Sequence, residues 1–156
     1  VRTEPRRRTA PGYSPESLSE YFAGLWDLRR TIEDRRRGET GSLRGEAEFR
    51  TEPSGLSYRE NGALEIGAYR GRAHQGYLFL FPAPARLEVR FQDRRLFHRA
   101  DLSSGMAETE HSCPPDLYRG RYLLEGPDAW QLTWSISGPR KDLILTSRYL
   151  RIGARD

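Results

Sequence analysis

The sequence predicts an all-β domain, an up-and-down antiparallel β-barrel of about ten strands with a short N-terminal helix. Three observations carry this. From Gly24 onward apolar residues recur at every second position, the period of a strand with one buried face. Turn-forming residues interrupt the pattern at short, regular intervals, as in a meander of hairpins. The intervening positions are mostly charged or polar, so each strand has one face for a core and one for water. A meander leaves two raw edges, and closing it on itself removes them. A two-sheet sandwich shares the period and is the alternative at this level.

Ser14, Pro15 and Glu16 read as a helix start, with a cap, a first-turn proline and an early acid. Leu18, Tyr21, Phe22 and Leu25 follow at helical spacing and Gly24 ends the helix. The period then becomes two. Trp26, Leu28, Arg30 and Ile32 form the inner set of the first strand, Leu43 to Phe49 that of the second, and Tyr58 to Ile66 that of the third. Ala73, Gln75, Tyr77, Phe79 and Phe81 supply a fourth, and Leu87, Val89 and Phe91 a fifth. In the sixth, Leu96, His98, Ala100 and Leu102 point inward and Phe97, Arg99 and Asp101 outward. Ala107, Thr109, His111 and Cys113 belong to the seventh, and Tyr118, Gly120, Tyr122 and Leu124 to the eighth. Trp130, Leu132, Trp134 and Ile136 make the ninth, and Leu143, Leu145, Ser147, Tyr149 and Arg151 the last.

At 156 residues the chain is long enough for one domain with a real core. Residues 14–156 are assigned to the barrel and residues 1–13 to a disordered basic leader. The net charge of +4 does not indicate nucleic-acid binding. Arg2, Arg6, Arg7 and Arg8 crowd the leader, whereas acids and bases alternate through the barrel and leave no clustered basic groove. No apolar run is long enough to span a membrane as a helix. The single cysteine, Cys113, rules out an internal disulfide and points to the cytoplasm.

The stretch "FAGLW" places Gly24 and Trp26 at the entry to the first strand, and Arg151 ends the last. This resembles the calycin group of lipocalins, fatty-acid-binding proteins and nitrobindin-like barrels. The resemblance implies that Trp26 plugs one end of the barrel and that Arg151, on a last strand lying beside the first, packs over it. A closer resemblance covers Phe22 to Arg151. Trp26–Arg30, Tyr58–Gly62, Leu96–His98, His111–Tyr118 ("HSCPPDLY") and Gly138–Asp142 ("GPRKD") are similar to the motifs of a family of small, mostly bacterial proteins of unknown function. It implies the fold and brings no activity with it.

Function must therefore come from the residues. In such a barrel the turns near 53, 83, 104 and 127 share the end of Trp26, and "DRRRGETG", Asp93-Arg94, "CPPD" and "GPRKD" share the other. Two-residue turns at Ser104-Gly105 and Asp93-Arg94 would set His98 opposite both His111 and Val89. Tyr58, Glu60, Gln75, Tyr77, Tyr118, Tyr122 and Trp134 have inward parity, and Gly45, Ala47, Gly62 and Gly120 leave room. Aromatics, missing volume and a few polar groups describe a ligand cavity. An inner carboxylate at Glu60 needs a partner, and Arg30 has the matching parity. Lys141, alone among 26 basic residues in being lysine, is placed at the rim, near Asp116 and Asp142.

The reading is a small-molecule-binding barrel, with a small organic molecule held by Tyr58, Glu60, Gln75, Tyr77, His98, His111, Tyr118, Tyr122, Trp134 and Lys141. The first alternative is an acid–base enzyme of the cyclase or isomerase type, with His98 or His111 as base and Glu60 or Asp116 as its partner. The second is a protein-interaction module using the charged outer face. No metal is expected, since three or four convergent ligands are lacking, and neither haem nor another cofactor is expected. Neither a nucleic acid nor a membrane is an expected partner, and the oligomeric state is left open.

Overall fold

The computed structural model describes residues 12–153. A single short helix, α1 (Leu18–Phe22), precedes ten strands: β1 (Gly24–Asp34), β2 (Glu39–Glu52), β3 (Gly55–Ile66), β4 (Tyr69–Ala83), β5 (Arg86–Arg90), β6 (Leu96–Asp101), β7 (Met106–Cys113), β8 (Asp116–Gly126), β9 (Ala129–Gly138) and β10 (Lys141–Arg151). They form one antiparallel sheet in the order β6-β5-β4-β3-β2-β1-β10-β9-β8-β7. First and last strands pair, with Trp26 opposite Arg151 and Arg30 opposite Ser147. The meander thus curls into a nearly closed barrel, and the sandwich alternative falls. Most of the expected leader lies outside the described residues. Of its last part, Tyr13 donates its backbone N–H to the carbonyl of Leu124 at 2.7 Å.

The helix begins later than its sequence suggests. Ser17, not Ser14, is the N-cap, accepting from the N–H of Glu20. The Ser14 hydroxyl instead donates to the carbonyl of Ser103 at 2.8 Å. Leu18, Tyr21 and Phe22 of the helix are fully buried and close one end of the barrel. There Trp26, wholly inaccessible, donates its indole N–H to the carbonyl of Phe22 at 2.8 Å. The Arg151 guanidinium lies 4.1 Å from the centre of the Trp26 ring. It also donates to the carbonyls of Tyr21 (2.8 Å), Pro127 (3.0 Å) and Ala23 (3.3 Å). The end of α1 and the β8–β9 turn are thereby tied to the last strand, and Arg151 packs over Trp26 as the calycin resemblance implies.

Edge strands β6 and β7 differ from the expected tight hairpin. Residues 102–105 intervene, with the Gly105 N–H bonded to the Leu102 carbonyl at 2.9 Å, and no ladder joins the two strands. Across this seam the Thr109 hydroxyl donates to the carbonyl of Arg99 at 2.7 Å. The cross-strand pairing of His98 with His111 therefore does not form.

Val89 does face His98, but the next pair is Arg90 with Leu96. Phe97 is thus the extra residue of a β-bulge, which turns its side chain to the inside. Its ring is buried, contrary to the outward parity read from the sequence. On the outer face, arginines pair with carboxylates across strands, as in Arg119–Glu110 (3.2 Å) and Arg121–Glu108 (3.3 Å). Such exposed pairs favour solubility more than stability.

Candidate functional site: a polar-lined aromatic cavity

Inside the barrel is a cavity of about 270 Å³. Its polar lining begins with an ion pair. Arg30 of β1 and Glu60 of β3 meet at two points, 2.7 and 3.0 Å, and the Arg30 Nε–H donates to Ser147 of β10 at 2.6 Å. The Tyr58 hydroxyl donates to Glu60 at 2.8 Å and shares a second hydrogen bond of 2.8 Å with Tyr149. Burial works most strongly against the charged guanidinium of Arg30, but the bonded Glu60 together with Tyr149 and Tyr58 outweighs it, and the pKa lies above the ordinary arginine value. Burial pushes Tyr149 up to about 12, although Arg30 acts in the opposite direction. Tyr58 and Tyr122 are likewise raised, chiefly by burial. Every phenol of this set thus stays protonated at neutral pH and can donate.

The second polar group is a dyad. The His98 Nε2 and the Tyr122 hydroxyl are 2.6 Å apart, while His98 Nδ1 and the indole N–H of Trp130 are buried without a hydrogen-bond partner among the described residues. Burial first, and then the charge of His111, lower the His98 pKa to about 3. The imidazole is therefore neutral near pH 7. The unfolded chain takes up this proton near 6.5, and the folded chain does so only near 3. Across that window the unfolded state binds more protons, so this group's contribution to stability is present above pH 6.5 and is lost as pH falls toward 3. We expect wild type to lose about 1 kcal/mol between pH 6 and pH 5 from this site, and His98→Gln to lack that slope. Urea unfolding at the two pH values checks it; an equal slope in both proteins would refute the assignment.

The remaining walls are rings. Phe97 stacks on Trp134 at 5.1 Å between centroids, and Trp130 stacks on Tyr149 at 3.8 Å. Trp134 can lie flat because its partner across the β8–β9 pair is Gly120. A Cβ added there would sit 2.7 Å from the Trp134 ring. Gly120→Ala should therefore push Trp134 into the cavity, at a cost of about 1–3 kcal/mol. An altered near-UV circular dichroism band together with a lower urea midpoint is the expected signature. By contrast, Gly45 does not leave room in the interior. A Cβ there would run into the backbone carbonyl of Asn61, so this glycine serves the close approach of β2 to β3.

Of the residues expected at the site, Tyr58, Glu60, Gln75, Tyr77, His98, Tyr118, Tyr122 and Trp134 line the cavity. His111 and Lys141 do not line it. His111 packs edge-on against Phe97 at 5.2 Å, behind the bulge. Lys141 stands at the rim with its Nζ 3.3 Å from Asp116. The bond to Asp116 raises the Lys141 pKa, with Tyr118 adding to it, so the ammonium is held charged. Asp116 is thus paired with Lys141. Cys113, expected on the inner face, ends β7 as an exposed free thiol.

Lining residues not singled out from sequence include Phe97, Trp130, Ser147 and Tyr149. A smaller recess of about 170 Å³ shares Arg30, Glu60, Gln75 and Leu145 with the cavity and is otherwise largely apolar. Among the described residues no cluster of three His, Cys, Asp or Glu side chains is arranged to hold a metal ion. Nor is any helix among them long and apolar enough to cross a membrane.

Comparison with solved structures finds the same architecture elsewhere. The chain is similar to the S-type phycobiliprotein lyase CPES from Guillardia theta, with 8% identity, a TM-score of 0.64, and coverage of 88% of this chain and 92% of that one. It is also similar to a protein of unknown function from the DUF3598 family of Nostoc punctiforme PCC 73102, with 10% identity, a TM-score of 0.59, and coverage of 88% and 50%. At these identities the likeness is one of fold. No curated protein matches the chain significantly. The sequence pattern itself, over residues 22–151, matches a described family: the chain belongs to the family of unknown function DUF6314.

Proposed function

We propose that this protein binds a small organic molecule inside the barrel. The observation that carries the reading is the interior itself. A packed core would close the space between the aromatic walls, whereas here about 270 Å³ remains, bordered by a buried ion pair, tyrosines and an imidazole. Two residues of that border carry buried nitrogens without partners among the described residues. A cytoplasmic location accompanies this reading, because the exposed free thiol of Cys113 suits a reducing compartment.

The acid–base alternative is the weaker one. His98, with its pKa held near 3, is a poor base at neutral pH. Glu60 is tied up by Arg30, and His111 lies outside the lining. Native mass spectrometry of protein purified from its own host tests the binding reading directly. A non-covalent adduct of small mass, released on denaturation, is expected. A homogeneous apo mass, together with an interior that excludes xenon by NMR, would overturn it and leave the charged outer face as the working surface.

A further inference from the structure

The charges on the cavity wall narrow the ligand class. Of the lining residues, Arg30 and Glu60 are the charged pair. They neutralise each other through two short contacts, with both side chains largely buried. The other polar wall groups are phenols, an amide, a hydroxyl, indoles and one imidazole. Taking an ion into such a space strips its hydration without offering a free counter-charge, which is among the costliest forms of burial. The adjoining recess adds apolar side chains and His74, and the rim lysine is already paired with Asp116.

Shape and hydrogen bonding narrow it further. At about 270 Å³ the cavity lies near the lower end of the roughly 300–1,000 Å³ of small-molecule pockets, which suits a ligand of about two fused rings with one small substituent. Its walls are stacked aromatic faces, which favour a planar occupant. The Tyr77 hydroxyl on this wall accepts from the Gln75 amide and keeps its own proton to donate. An occupant carrying an acceptor completes that hydrogen bond. Resting on the binding reading above, we propose that the cavity takes a neutral, planar aromatic molecule that carries a carbonyl-type hydrogen-bond acceptor.

Three nearly isosteric probes separate charge from shape: naphthalene-2-carboxamide, naphthalene-2-carboxylate and naphthalene-2-carboxamidine, with naphthalene as the probe that lacks an acceptor. Quenching of intrinsic tryptophan fluorescence reads binding, because Trp130 and Trp134 both line the cavity. At pH 7 the amide should bind at least ~10-fold more tightly than either ion and about 10-fold more tightly than naphthalene, the factor expected of one buried hydrogen bond. In Glu60→Gln, which strands the positive charge of Arg30, the order of the first two should reverse in favour of the carboxylate. If the carboxylate or amidine matches the amide in wild type, the neutral-ligand inference falls while ligand binding stands. Equal binding of naphthalene and the amide removes the acceptor. Failure of all four probes, with no xenon uptake, removes the binding reading as well. Should Glu60→Gln fail to fold, the wild-type ranking still decides.

Discussion

Glu60→Leu should lower the unfolding free energy by about 3–5 kcal/mol. The carboxylate is 5% exposed and its partner Arg30 15%, so bulk water replaces neither member fully. Removing Glu60 leaves a guanidinium that cannot shed its charge, and it strips the Tyr58 hydroxyl of its acceptor. The pair is not itself a large source of stability, because desolvating two ions offsets most of their attraction. The double variant Arg30→Met/Glu60→Leu should therefore recover most of the loss, to within about 1–2 kcal/mol of wild type. Urea unfolding of the two single variants and the double variant closes the cycle. Additive single costs would mean that the two side chains do not meet, and the electrostatic account of the cavity would go with them.

That ion pair is legible in the sequence. Period-two parity puts Arg30 and Glu60 on inner faces, and a buried carboxylate demands a partner. Ser147 is within reach of the same reasoning. Once Trp26 is set opposite Arg151, antiparallel pairing puts Arg30 opposite Ser147, which is the register observed. Parity fails where the ladder is irregular. One extra residue between the partners of Val89 and Arg90 of β5 turns Phe97 inward, and no local signal in "RRLFHRAD" announces the bulge. The expected histidine pair fails for a related reason. It requires a hairpin between β6 and β7, yet these are the two edges of the sheet, where pairing rules do not apply. Lys141 does stand at the rim beside Asp116, as its place in the turn implies. Whether a side chain there reaches the cavity depends on where the turn points it, and strand parity does not carry through a turn.

The closed end should prove the most sensitive part of the barrel. Trp26→Ala is expected to cost about 3–5 kcal/mol, because the indole is wholly buried and touches helix and strands at once. It packs against Tyr21 and Trp130 with centroids 5.8 and 6.1 Å away, and its N–H holds the end of α1 through Phe22. No neighbouring segment can collapse into the hole, since Arg151 is itself fastened to Tyr21, Ala23 and Pro127. Arg151→Met tests the other half of the device. It keeps much of the apolar stem but leaves three carbonyls short of a donor, a loss of about 2–4 kcal/mol. The two residues should also couple. A guanidinium over an indole face away from solvent contributes on the order of 1 kcal/mol, so the double variant should be less destabilised than the sum of the singles. Thermal or urea unfolding of the three proteins reads the coupling. If Trp26→Ala unfolds at the wild-type midpoint, the barrel is not closed by this pair.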